Sequence, residues 1–343
     1  MKVCFVPHVP HSVTMGGAEV QLRKTKSALE SLGHTVQSLD LLSTTQLREV
    51  DLVHLFGCEP GSFSTLAGYL SSYGFPYVSS SIYFPFGRQL RRDLVKTWVG
   101  KTQERERRKL LESARCVLPN SRAEKKLVEL MFKLPPERVR VIPNGVDTDR
   151  GFYDPEEFRS QYLPDLPKDE PFILSVGRIE KRKNSLRLVE AALQEKIPIV
   201  FIGKSTSRQS GYQARFEETC SSAKGFVRRI ESLPYDSDLL WSAFSAAHVH
   251  ALVSTVETPG LASLEAGITN ANLVFGRCAP VNEYLDGIAI ETEPRSTESI
   301  RQGLRLAIGR PRGFQNPETH IRANYSWDLV ASKTVEAYRS ALE

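Results

Sequence analysis

The chain has 343 residues, 41% of them hydrophobic and 25% charged, with a net charge of +5. That length exceeds what one ordinary core accommodates, so two domains are expected, and the composition is that of a water-soluble globular protein. No apolar run approaches the ~18 residues that would cross a bilayer, and the five scattered cysteines (Cys4, Cys58, Cys116, Cys220, Cys278) argue against a disulfide framework or a zinc site.

Met1-Lys-Val-Cys-Phe-Val-Pro7 reads as a strand rather than a signal peptide, and the scattered cysteines suit a reducing compartment, so a cytoplasmic location is expected, with a peripheral place at the inner membrane face as the alternative. Strands are expected in the first half at Lys2–Pro7, Thr35–Leu39, Leu52–Phe56, Tyr77–Ser81, Cys116–Pro119 and Val139–Pro143. The first helix is expected over Gly17–Leu32, with Ala18, Leu22, Thr25, Leu29 and Leu32 as its buried stripe and Gly33 as terminator. Residues 1–150 carry 22 Lys+Arg against 15 Asp+Glu, and Arg88–Lys109 alone holds nine basic and three acidic residues. This basic stretch is a solvated helix face or, as the alternative, a surface for an anionic acceptor or a membrane interface. Nucleic acid is disfavoured because Trp98 stands alone among these charges, without the interleaved aromatic residues that stack on successive bases.

Past an acidic, Pro-rich junction at Asp154–Pro171, strands are expected at Phe172–Val176, Ile199–Ile202, Phe226–Ile230, Val249–Val253 and Leu273–Phe275. Ser326–Leu342 closes the chain as an amphipathic helix with Ser326 as N-cap and Leu329, Val330, Thr334, Tyr338 and Leu342 near one face. Strands alternating with helices imply α/β architecture, with two doubly wound parallel sheets. The expected boundaries are 1–160, 161–325 and a final helix at 326–343.

Three loops carry chemistry, each at the carboxyl end of an expected strand, where open parallel sheets bind ligands. Pro7–Glu19 contains Gly16-Gly17 at a helix start; this is not the G-x-G-x-x-G dinucleotide fingerprint, so an oxidoreductase reading lacks support. Gly177-Arg178-Ile-Glu-Lys181-Arg182-Lys183 gathers four cations, suited to a diphosphate whose negative charge grows as it leaves. In Ser254–Ala266, Glu257 precedes a helix and Glu265 lies inside its first turns, with the N–H groups of Gly260, Leu261 and Ala262 between them. Such a helix start suits an anion, and the two carboxylates suit hydroxyl groups on either side. A nucleotide-sugar is a ligand of this kind.

Together these segments resemble the retaining GT-B glycosyltransferases of sequence family 4 (glycosyl transferases group 1), over nearly the whole chain. The resemblance rests on Gly16-Gly17-Ala-Glu19, Asp51-Leu-Val-His54, Val141-Ile-Pro-Asn-Gly-Val-Asp147, Gly177-Arg178 with Lys183, the Glu257-x7-Glu265 signature, Glu283, and Ser326-Trp327 with Tyr338. It implies two Rossmann-like domains facing a cleft, an N-terminal acceptor domain and a C-terminal donor domain, with the last helix crossing back to the first. It also implies roles. Arg178 and Lys183 would neutralise the donor diphosphate and, with Glu257, form the catalytic set. Glu257 would hold the transferred sugar, helped by backbone near Gly260 and Leu261. Glu265 would hold the ribose, and Gly16, Gly17 and Gly177 would admit the diphosphate. The leaving phosphate oxygen would take the acceptor proton on the front face. No cofactor or divalent metal is implied, and the acceptor could be a glycan, a lipid-linked sugar or a small molecule.

The chain also departs from the pattern. No His ends the fourth strand, Tyr77-Val-Ser-Ser-Ser-Ile; His8 or His11 could substitute, and a non-catalytic nucleotide-sugar-binding or scaffold protein is the alternative reading. Asn270 and Asn272 stand where Gly and Pro are usual, and Pro259 where Phe is common. Asp147-Thr-Asp149 spells a metal-site motif but falls at a domain edge, and His248-Val-His250 alternates along an apolar strand, so neither is expected to bind metal.

Overall fold

A computed structural model describes the chain except residues 8–15, 41, 42, 44, 86–101, 151, 152 and 206–209. It divides into two compact units, Met1–Gly145 with Tyr325–Glu343, and Val146–Asn324.

The first unit holds β1 (Lys2–Val6), α1 (Gly17–Ser31), β2 (Thr35–Ser38), β3 (Leu52–Phe56), α2 (Ser62–Ser72), β4 (Tyr77–Ser80), α3 (Thr102–Ser113), β5 (Cys116–Val117) and α4 (Arg122–Phe132). Its strands form a five-stranded parallel sheet in the order β2-β1-β3-β4-β5. Parallel sheets are covered on both faces, and all five residues of β3 are buried accordingly. The period of two divides the core. Val3, Phe5, Leu52 and Phe56 face α1 and the C-terminal helix, whereas Cys4, Val53 and Leu55 face Phe63, Leu70, Leu111 and Phe132. His54 sits in this core because both ring nitrogens are satisfied, Nδ1 by the Tyr338 hydroxyl at 2.6 Å and Nε2 by the Ser80 hydroxyl at 2.9 Å. Burial holds its imidazole down to about 3, so the ring is neutral.

Several expected details differ. Val139–Pro143 makes a single bridge, Val139 to Val117, instead of a strand. Its neighbour β5 has two residues and offers no ladder to extend. In α1 the buried stripe is Val20, Gln21, Leu22, Thr25, Ala28 and Leu29, and Leu32 is 45% exposed because the helix ends at Ser31. Gln21 is buried against polarity because its amide donates to Asn120 at 3.1 Å.

The second unit contains α5 (Pro155–Tyr162), β6 (Ile173–Val176), α6 (Ser185–Gln194), β7 (Ile199–Ile202), α7 (Ser210–Ser222), β8 (Val227–Ile230), α8 (Asp238–Ala246), β9 (Val249–Leu252), α9 (Leu261–Ile268), β10 (Asn272–Gly276), α10 (Ala279–Leu285), β11 (Ile290–Thr292), α11 (Thr297–Ile308) and α12 (Pro317–Asn324). The strand β11 has three residues and carried no apolar run to announce it. The six strands are parallel in the order β11-β10-β9-β6-β7-β8. The chain leaves β6 towards β7 and β8, then returns to place β9 on the other side of β6. The loops after β6 and β9 therefore part in opposite directions, and this switch point opens a crevice at the carboxyl ends of the strands.

The last helix, α13 (Trp327–Leu342), belongs to the first unit. Ser326 caps it by accepting from the Leu329 N–H at 3.2 Å. Trp327, Val330, Ala331, Thr334, Val335, Tyr338 and Ala341 are buried, whereas Leu342 is 42% exposed, so the apolar stripe is displaced from the expected one. The indole of Trp327 covers the Pro143-Asn-Gly145 turn so closely that a Cβ on Gly145 would stand 2.6 Å from the ring.

Candidate functional site

The turn leaving β6 is shaped by two glycines. Gly177 adopts φ +151°, and its N–H donates to Ile202 O at 2.9 Å. Gly203, which follows β7 at φ +148°, lies so close that a Cβ there would fall 2.0 Å from the Gly177 carbonyl oxygen. Beyond this contact the chain makes a short turn, Lys181–Lys183, ending at Asn184 in the left-handed region at φ +60°. The Asn184 amide fixes the turn by donating to Val253 O at 3.2 Å and Pro294 O at 2.6 Å.

This turn brings Lys183 against Glu257. The Lys183 ammonium pairs with Glu257 Oε2, and both side chains are largely buried. Ser254 Oγ donates to the same oxygen at 3.1 Å. On Oε1, the Thr258 N–H donates at 3.3 Å and Arg182 Nη1 stands 3.5 Å away. Burial by itself would raise the Glu257 carboxyl, but Lys183 and then Arg182 outweigh it and hold the group below the ordinary carboxylate range. Arg182 also laces the two loops together. Its guanidinium donates to Val256 O at 2.9 Å and pairs with Glu180 at 2.7 Å, and its carbonyl accepts from the Thr255 N–H at 2.9 Å.

Three residues after Glu257, Gly260 takes φ +81° as N-cap of α9. A left-handed cap suits glycine, and it leaves Leu261 and Ala262 as the first helical residues, whose N–H groups have no partner within the helix. Glu265 lies one turn further, 4% exposed, and accepts from the Tyr235 hydroxyl. Burial and then Glu265 push that phenol well above its ordinary value. Beneath the crevice, the neutral ring of His250 accepts from the Val176 N–H and reaches Ser263 Oγ, each at 3.4 Å. Burial and then Lys183 hold this imidazole down to about 3.

The switch point thus gathers Gly177, Arg178, Lys183, Glu257, Gly260, Leu261, Ala262 and Glu265 on the loops and helix starts of one unit. Arg178 is exposed and makes no ion pair among the described residues. Gly16 and Gly17 stand at the start of α1 in the first unit, where Gly16 O accepts from the Val20 N–H at 3.1 Å. Glu283 is exposed on α10. Asp147 of the Asp-x-Asp triplet is 3.8 Å from Arg150, and His248 bonds Arg310 O at 2.8 Å. Asn270 fills the usual glycine position by adopting φ +63°, and the Asn272 amide donates to Ala307 O at 2.9 Å. His8 and His11 lie outside the described residues, as does most of Arg88–Lys109. Within the described part, Arg107 pairs with Glu104 and Arg108 with Glu112.

Arg182, Asn184, Gly203, Tyr235 and Ser254 were not marked as site residues by the sequence. Arg182 carried a signal, its place among four cations, but nothing local separated its task from that of Lys183.

Residues 37–150 match the family model described as Glycosyltransferase Family 4, and residues 158–298 match Glycosyl transferases group 1. The chain belongs to this glycosyltransferase family. An uncharacterized glycosyltransferase of Methanocaldococcus jannaschii is 26% identical over 66% of this chain and 60% of its own length. A D-inositol 3-phosphate glycosyltransferase of Geodermatophilus obscurus is 25% identical over 69% of this chain, again spanning little more than half, 55%, of its own length. Among solved structures, Anabaena HepE in complex with UDP is similar in fold, with a TM-score of 0.79 at 16% identity, covering 99% of this chain and 100% of that one. Two Rossmann-like parallel-sheet units are therefore the family fold. Among the described residues no helix is long and apolar enough to cross a membrane.

Proposed function

We propose that the protein is a retaining glycosyltransferase that moves a sugar from a nucleotide-diphosphate donor to an acceptor hydroxyl and needs no metal. The observation that carries this reading is the Lys183–Glu257 pair at the switch point, beside the N-terminus of α9. A donor diphosphate draws on Lys183 and Arg178 and on the N–H groups of Leu261 and Ala262, where the helix dipole adds positive potential. Gly177 and Gly260 let its backbone-facing oxygens approach. Glu257 then accepts from hydroxyls of the transferred sugar, and Glu265 from the ribose. Gly16 and Gly17 enter the proposal on sequence grounds, since no Cβ blocks a ligand at either. The complexes of Anabaena HepE with UDP and with UDP-glucose support a nucleotide-sugar as the donor class.

As the glycosidic bond breaks, negative charge collects on the diphosphate, and Arg178 and Lys183 stabilise it most where water is excluded. The leaving oxygen takes the proton of the incoming hydroxyl on the same face, which retains the anomeric configuration. The acceptor is proposed to be anionic or presented at a membrane surface, on the strength of Arg88–Lys109. Charge reversal at Arg91, Arg92 and Lys96 is then expected to weaken acceptor use and leave donor binding unchanged.

The test is donor hydrolysis and transfer by the purified protein across a nucleotide-sugar panel, with and without EDTA, alongside thermal shift. Turnover should survive EDTA, and Lys183→Ala or Glu257→Ala should lower it by about a hundredfold or more. Donor binding without turnover across a broad acceptor panel would instead point to a non-catalytic scaffold.

A further inference from the structure

Glu257 is asked to do two things in succession. Without ligand it neutralises Lys183. With a donor bound, in the reading proposed above, Lys183 turns to the diphosphate and Glu257 must remain a carboxylate that accepts from sugar hydroxyls. A carboxylate 8% exposed that lost its cation would take up a proton or swing away. Some other group must hold it.

The groups facing Glu257 are few. Ser254 and the Thr258 N–H donate to it but carry no charge. The Cys278 thiol contacts its backbone carbonyl, and burial pushes that thiol up to about 11, so it too is neutral. Glu180 is tied to Arg182. Besides Lys183, Arg182 is the cation against Glu257 among the described residues, and the two cations take opposite oxygens, Lys183 at Oε2 and Arg182 at Oε1. The departure of Lys183 therefore leaves the Oε1 contact intact. Arg182 is also poorly placed to follow the phosphate. Two of its guanidinium nitrogens are committed to Glu180 and a third to Val256 O, while its carbonyl anchors Thr255.

We propose that Arg182 is a positioning residue that keeps Glu257 ionised and aimed once the donor diphosphate draws Lys183 away, so that recognition of the sugar, and not of the nucleotide, depends on it. This rests on the donor-site reading above and assigns a separate task to one of the four cations of the loop.

Calorimetric titration of wild type, Arg182→Gln, Arg182→Lys and Glu257→Gln with UDP, UDP-glucose, GDP and GDP-mannose, from pH 5 to 8, tests it. In Arg182→Gln the affinity for the free nucleotide should stay within about twofold, while the added affinity conferred by the sugar falls about tenfold, the scale of one charge-assisted hydrogen bond. The pH below which the sugar stops adding affinity should move upward in Arg182→Gln and return towards wild type in Arg182→Lys. Glu257→Gln should remove the sugar-dependent gain together with its pH dependence. Equal losses for nucleotide and nucleotide-sugar, or an unmoved pH midpoint, would overturn the proposal while leaving the donor site standing. A wild type that binds none of the four ligands would bring down the glycosyltransferase reading and this one with it.

Discussion

Glu257 and Glu265 stand eight positions apart in the chain, and their spacing around a helix start made them legible in the sequence. Their partners were another matter. Lys183 and Arg182 lie more than seventy positions away, and only the folded second unit brings them to the carboxylate. Lys183→Ala removes the nearer of two cations and leaves a largely buried carboxylate to the longer Arg182 contact, so it is expected to cost about 3 kcal/mol, the low end for breaking a buried pair, at neutral pH, measured by denaturant unfolding. Because the folded Glu257 carboxyl lies below its ordinary range, this contribution is present at neutral pH and is lost as pH falls through the folded value. His54 and His250 act earlier in an acid titration. Each is held neutral down to about 3, against an ordinary value of 6.5. Below pH 6.5 the unfolded chain takes up a proton at each ring and the folded chain does not, so stability falls with pH across that window, by about 1.4 kcal/mol per unit for each ring. His54→Gln should remove that ring's share of the slope, read by amide exchange of the first unit. A slope unchanged by the substitution would show that His54 titrates normally in the fold.

At the level of elements, β1, β3 and β7 were readable because buried parallel strands are near-continuous apolar runs, and runs of that kind need no knowledge of their neighbours. Val139–Pro143 is rich in β-branched residues as well and is not a strand, because pairing requires a neighbour long enough to offer a ladder. The stripe of α13 was displaced for a similar reason: periodicity gives a face, but packing on α1 and the first sheet chooses which residues it covers. Gly203 shows the same limit in the loops. Its sequence context is an ordinary Ile-Gly-Lys, yet its backbone lies directly against that of Gly177. Gly203→Ala would drive a Cβ into a backbone oxygen that no rotamer change can move. A loss of at least about 3 kcal/mol from the second unit is expected in denaturant unfolding, together with weakened donor binding.

For the whole molecule, the chain passes from the first unit through the second and returns, so the first unit is made from both ends of the sequence. Removing 326–343 should strip Trp327, Val330, Tyr338 and Ala341 from the core of the first unit and leave His54 without the Tyr338 hydroxyl. Amide exchange should then rise across Met1–Gly145 while β6, β7 and β9 of the second unit keep their protection. Uniform exposure of both units would show that they do not fold separately. The sequence by itself determined the α/β class, two units, the family, and the order of the glycine, cation and glutamate loops along the chain. All of these are properties of local runs, short spacings and motif order. Only the tertiary structure decided that β9 lies beside β6, and with it which cation meets which carboxylate oxygen. That adjacency comes from strand order, a contact between segments more than seventy residues apart, which no local pattern encodes.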